Sequence, residues 1–178
     1  MSKKEKKGFV QVYTGNGKGK TTAALGLALR ALGHGYRTYI GQFLKGQFYG
    51  ELEAIKYLSS FITIEQFGRK GFIHVTHNTD EEDKKRAREG LEKCRKAMLS
   101  GKYKIIILDE INVALYFDLL TEEEVLKFID QKPKQVELIL TGRYAPQSII
   151  ERADLVTEMK EIKHYYHQGI KARKGFEK

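Results

Sequence analysis

The chain has 178 residues, 41% of them hydrophobic and 31% charged, with a formal net charge of +9 at pH 7. That length fits a single domain, 1–178, with one substantial core. No apolar run approaches the ~20 residues of a membrane span, and the single cysteine, Cys94, excludes an internal disulfide and offers no metal-ligand spacing.

The excess charge gathers at the ends. Residues 1–7 form a basic arm with four Lys and one Glu, and residues 161–178 form a basic tail that includes Lys171-Ala172-Arg173-Lys174-Gly175. No apolar signal core follows the arm, so a cytoplasmic location is expected. Basic ends suit nucleic acid or a site for anionic ligands. With no aromatic-basic nucleic-acid module in the chain, neither nucleic acid nor membrane is expected as a partner.

In chain order, Phe9-Val10-Gln11-Val12-Tyr13 alternates as a first strand. Thr14-Gly15-Asn16-Gly17-Lys18-Gly19-Lys20-Thr21-Thr22 follows, and then Ala23 to Leu32 reads as a helix with a buried face. A glycine loop between a strand and a helix is the context of a phosphate-binding loop. Glycines allow positive φ and close approach, so that successive N–H groups can form an anion nest at a positive helix end. Lys20 adds a mobile charge, and the Thr21 hydroxyl is a ligand for Mg²⁺. The strict pattern has glycine where this chain has Thr14.

Gly33-His34-Gly35 stops the helix, and Arg37 to Phe43 reads as a second strand. Strand, helix, strand implies parallel pairing. Ligands of such sheets bind at the carboxyl ends of the strands, which is where Lys45 falls, although position alone also allows a surface lysine. Gly50–Ser59 reads as a short helix and Phe61–Gln66 as a third strand. The stretch from Phe67 to Asp80, with Phe72, His74 and His77, is too aromatic for an inert linker and reads as a functional loop.

Asp80–Ser100 is a helix with Ala87, Leu91, Cys94 and Met98 along one stripe. Ile105-Ile106-Ile107-Leu108 then reads as a strand buried on both faces, ending in Asp109-Glu110. Carboxylates at that end can hold Mg²⁺ directly or through water. A strand-end cap is the other reading of Asp109. Thr121-Glu122-Glu123-Glu124 is a capping box that opens a helix to Lys132. Val136–Thr141 is a fifth strand, and Gly142-Arg143 after it brings a bidentate anion clamp to the same edge. Pro146–Ala153 reads as a short helix and Leu155–Lys160 as a sixth strand.

The glycine loop, Gln42-Phe43-Leu44-Lys45-Gly46, Gly71-Phe72, Leu108-Asp109-Glu110, Leu140-Thr141-Gly142-Arg143 and the ending Lys163-His164 … Gly169-Ile170-Lys171-Ala172-Arg173-Lys174-Gly175 together resemble the P-loop class of ATP:corrinoid adenosyltransferases, in the same order and over nearly the whole chain. The resemblance implies a RecA-like α/β fold, with a mostly parallel central sheet and helices on both faces, in a homodimer. It implies ATP and a corrinoid as substrates, Mg²⁺ (or Mn²⁺) as cofactor, and an electron donor such as a flavoprotein. ATP would be bound in the reverse sense to ordinary P-loop ATPases, with C5′ open to attack by Co(I) and triphosphate as leaving group.

Residue by residue, the resemblance implies catalytic roles for Lys20 and Glu110. It implies nucleotide contacts from Gly15, Asn16, Gly17, Lys18, Gly19, Lys20, Thr21, Thr22, Lys45 and Arg143. Thr21, Asp109 and Glu110 would lie on the metal side. Phe72 and His74 would face the lower side of the corrinoid, and His74 departs from the tryptophan common at its position. Co(I) is itself the nucleophile, so the protein's task is positioning and charge stabilisation. The rival readings are a P-loop ATPase or phosphotransferase, with Glu110 polarising water, and a basic RNA-associated ATP-binding protein.

Overall fold

The computed structural model describes residues 7–69 and 80–177. Strand β1 (Val10–Thr14) leads into α1 (Lys20–Leu32), β2 (Thr38–Gln42), α2 (Gly50–Lys56) and β3 (Ile62–Gln66). Then come α3 (Glu81–Leu99), β4 (Ile105–Asp109), α4 (Ile111–Tyr116), α5 (Glu122–Asp130), β5 (Glu137–Thr141), α6 (Gln147–Arg152) and β6 (Leu155–Glu158). The strands form one six-stranded sheet in the order β3-β2-β4-β5-β1-β6. Every pairing among them is parallel.

Side-chain alternation splits the core between the two faces of the sheet. Ile105 and Ile107 of β4 join Ile40 and Ile139 under Ala24, Ala28 and Ala31 of α1. The intervening Ile106 and Leu108 join Leu138 and Leu140 against α3, α4 and α5 on the opposite face. Both faces are therefore covered, as a parallel sheet requires. The alanine stripe of α1 lets that helix lie close over β2, β4 and β5. The glycine loop at its start is thereby held above the carboxyl ends of those strands.

Local chemistry agrees with most element ends. Asp80 accepts a hydrogen bond from the Glu82 amide at 3.1 Å and caps α3. Thr121 and Glu124 form the expected reciprocal capping box at the start of α5. Helix α1 begins at Lys20 rather than Ala23, so Lys20, Thr21 and Thr22 form its first turn. Helix α4 was not legible in Ile-Asn-Val-Ala-Leu-Tyr, which has six residues and no side-chain cap hydrogen bond. Among the described residues strand β6 pairs only with β1, lies at the sheet edge and is exposed along its length.

Candidate nucleotide and metal site

Thr14 ends β1, where a glycine would be expected, and ties its surroundings together. Its hydroxyl accepts from the Ala145 amide at 3.4 Å, and its carbonyl accepts from the Met159 amide at 2.8 Å. The loop then turns at Gly15 (φ 90°) and Gly19 (φ 122°), both in the region that favours glycine. Gly17 lies flat against the chain after β6: a Cβ there would come within 2.7 Å of the Met159 carbonyl oxygen. The Gly17 amide donates to that same oxygen at 2.6 Å.

Lys20 is 7% exposed. Its ammonium donates to the carbonyls of Gly15 at 2.7 Å and Gly17 at 2.8 Å, which braces the loop from inside. Burial pushes Lys20 below the ordinary lysine range, helped by Arg143 and opposed by Glu110 and Asp109.

Asp109 is the hub of the site. It is 1% exposed. One oxygen accepts from the hydroxyls of Thr21 at 2.9 Å and Thr141 at 2.7 Å. The other accepts from Lys45 at 2.7 Å and Gln42 at 3.1 Å. Parallel register explains the grouping, since Gln42 pairs with Asp109 across β2 and β4, and Thr141 ends the next strand. Burial works against the charge of Lys45, but Asp109, Glu110 and Glu51 outweigh it and hold the ammonium above its usual range. Lys45 also lies 5.1 Å from the centre of the Tyr49 ring.

Glu110 takes a left-handed backbone, φ 62° and ψ 21°, as the chain turns from β4 into α4. Its amide donates to Thr141 Oγ1 at 3.0 Å. Burial, then the neighbouring Asp109, pushes its carboxyl above the usual range, against Lys45, Lys20 and Arg143.

These elements surround a cavity of about 760 Å³. Gly17, Lys18, Gly19, Lys20, Thr21, Thr22, Lys45, Glu110 and Arg143 all line it. Gly15 and Asn16 belong to the same loop but not to the cavity wall. Arg143 is exposed, with no ion-pair partner within 4 Å among the described residues. Phe72 and His74, expected at the corrinoid face, lie outside the described residues, as does most of the basic arm 1–7.

The donor set suits a hard divalent cation. Thr21 offers a hydroxyl and Glu110 a carboxylate to the cavity, and Mg²⁺ completes such sets with water and phosphate oxygens. Asp109, saturated by four protein donors, fits as the group that orients Thr21.

Several residues of the site were given no role by the sequence, although Gln42, Thr141 and His164 fall within its family-like stretches. Gln42 and Thr141 become visible only once the strands are placed side by side. Buried Asn112 donates to the Gly142 carbonyl at 3.3 Å and steadies the turn before Arg143. His164, Phe176 and Glu177 reach the cavity from the tail, far away in sequence.

The sequence model for the family described as "ATP:corrinoid adenosyltransferase BtuR/CobO/CobP" matches residues 6–177. A protein from a Sinorhizobium species named corrinoid adenosyltransferase is 38% identical, over 99% of this chain and 83% of that protein. One of the same name from Escherichia coli K12 is 36% identical, over 97% of this chain and 87% of its own length. Among solved structures, a KaiC-like protein of the archaeon Pyrococcus horikoshii superposes with a TM-score of 0.56 at 18% identity, covering 88% of this chain and 75% of that one. That likeness concerns the P-loop α/β fold alone.

Proposed function

The chain belongs to the ATP:corrinoid adenosyltransferase family, and from that premise we propose that it transfers the 5′-deoxyadenosyl group of ATP to the Co(I) centre of a corrinoid. A Co–C bond forms at C5′, the C5′–O bond breaks, and its electron pair leaves with triphosphate. The observation that carries this reading is the meeting of phosphate loop and strand-end acids, with Thr21 and Glu110 lining one cavity and Thr21 Oγ1 held 2.9 Å from the buried Asp109 Oδ1.

The residues divide the work. The glycine loop from Gly15 to Thr22 shapes the site, and the amides of Gly19 to Thr22, with the side chains of Lys18, Lys20 and Thr22, hold the polyphosphate and stabilise charge that grows on the leaving group. Lys20, already desolvated, acts on phosphate more strongly than an exposed lysine would. Thr21 and Glu110 would hold Mg²⁺ (or Mn²⁺), with Asp109 fixing Thr21 and Lys45. The cation would supply further neutralisation of the triphosphate. Lys45 and Arg143 flank the nucleotide. ATP lies in the sense that turns C5′ away from the loop and toward the corrinoid. Phe72 would crowd the lower face of the corrinoid and displace the lower axial ligand of cobalt, and His74, where the family commonly has tryptophan, would face the same side. A homodimer, a flavoprotein-type electron donor and a cytoplasmic location complete the proposal.

One anaerobic assay tests it. Protein, MgATP and chemically reduced corrinoid are expected to give the spectrum of a light-sensitive Co–C product. Its absence with all three present contradicts the reading. Begun instead from Co(II) with a reductant, the same assay is expected to slow in Phe72→Ala while the Co(I) reaction is kept. Equal slowing of both would remove Phe72 from the axial-ligand role. Sedimentation of the purified chain checks the dimer, and a monomer at assay concentrations would contradict it.

A further inference from the structure

The tail returns to the phosphate loop and is tied there by one carboxylate. A 3-10 turn at Tyr165–Gln168 and Gly169 (φ 79°) redirect the chain. Glu177 then accepts from the Arg173 amide at 2.9 Å and from the Arg173 guanidinium at 3.1 and 3.2 Å. It also accepts from the Tyr165 hydroxyl and, at 3.1 Å, from Lys18 Nζ. The Phe176 carbonyl takes a second hydrogen bond from Lys18 at 3.0 Å. The side chain of Glu177 is only 14% exposed, against 45% for Lys18 and 50% for Arg173. The guanidinium of Arg173 lies 5.0 Å from the Tyr165 ring and 4.7 Å from the Phe176 ring. The hydrogen bonds from Arg173, first, and Tyr165 hold the Glu177 carboxyl below the usual range, so it is an anion at every working pH.

Five donors on one tail carboxylate exceed what a surface strap needs, and their placement is informative. Lys18 and Glu177 both line the 760 Å³ cavity. Two of the three donors of Lys18 are committed to the tail, and the Nε and one terminal nitrogen of Arg173 are committed to Glu177. A carboxylate and a phosphate group ask for the same cations in the same geometry. They cannot both have them in full.

We propose that Glu177 is a tethered anion that competes with the polyphosphate for Lys18 and Arg173, and that Arg173, once released, is a phosphate-binding residue of this site. The proposal rests on the reading of the cavity as a nucleotide site. A single carboxylate yields to a ligand bearing several charges, and the tail then closes on the triphosphate through Arg173. The same exchange, run in reverse, helps triphosphate to leave.

The test is equilibrium binding of inorganic tripolyphosphate and of MgATP to the full chain, at low and at high salt. Glu177→Gln keeps the shape and removes the charge. It is expected to tighten tripolyphosphate binding on the order of threefold to tenfold at low salt, with the gain shrinking as salt screens the pair. Arg173→Gln is expected to weaken binding by a similar factor, and the gain from Glu177→Gln to shrink when Arg173 is also replaced. Unchanged or weaker binding in Glu177→Gln overturns the proposal, because a carboxylate that only fastens the tail gives that result. Lys20→Ala separates the two layers. If the wild type binds both ligands and Lys20→Ala does not, the nucleotide site stands whatever Glu177 does. If the wild type binds neither, the site and the proposal fall together.

Discussion

Two adjacent carboxylates, Asp109 and Glu110, have opposite surroundings. Asp109 is saturated by Thr21, Thr141, Lys45 and Gln42, and its charge is matched by Lys45. Glu110 has its charge disfavoured by burial and by Asp109 itself. A carboxyl whose folded-state value is raised holds its proton more tightly folded than unfolded, so stability falls as pH rises past its unfolded value, near 4.3. Glu110→Gln removes that cost. Its melting temperature is expected to exceed that of the wild type at neutral pH and to converge with it below about pH 4. Adenosyl transfer is expected to drop by about a hundredfold or more, as when a group that stabilises transition-state charge is lost. A thermal melt across pH, paired with the rate, checks both. A variant no more stable than wild type at pH 7 would show that Glu110 carries no such cost. The pair was legible in the sequence as a pair. Its division of labour was not, because that depends on Gln42 and Thr141, which neighbouring strands bring to the site.

At the scale of elements, function concentrates where the chain leaves the sheet. Leu44 (φ 60°), Glu110 (φ 62°) and Tyr144 (φ 61°) are non-glycine residues in the left-handed region, beyond the carboxyl ends of β2, β4 and β5. Such conformations cost about 1–3 kcal/mol each and persist where the surroundings impose them. The loop that carries Lys45 is one such place. A Cβ on Gly46 would lie 1.9 Å from the Arg69 carbonyl oxygen, a backbone atom. Gly46→Ala is therefore expected to push this loop off the segment at Gly68 and Arg69 that follows β3, and to draw Lys45 away from Asp109. The Michaelis constant for ATP should rise about tenfold or more, and stability should fall by about 1–3 kcal/mol as in other overpacked sites. An ATP dependence equal to that of wild type would show that the loop tolerates the displacement. The regular elements were legible because apolar periods and caps such as Thr121-Glu124 act locally. Helix α4 escaped because its six residues, Ile111–Tyr116, are too few to show an apolar period and have no side-chain cap.

For the whole molecule, the parallel order β3-β2-β4-β5-β1-β6 gathers residues 15–22, 45, 109–110 and 143 at one sheet edge. Alternating helices and strands made this edge readable from sequence, since right-handed crossovers leave few ways to stack them. The tail was not readable in the same way. Its basic run announced an anionic partner, but no period or motif tells that Glu177 folds back onto Lys18.

The central claim is that ATP reacts at carbon rather than at phosphorus, and the fate of the phosphates decides it. Phosphorus NMR of a completed reaction with reduced corrinoid is expected to show intact tripolyphosphate, one per Co–C bond formed. Orthophosphate and ADP in its place, released with or without the corrinoid, would contradict the account and make this cavity the site of a phosphate-cleaving enzyme.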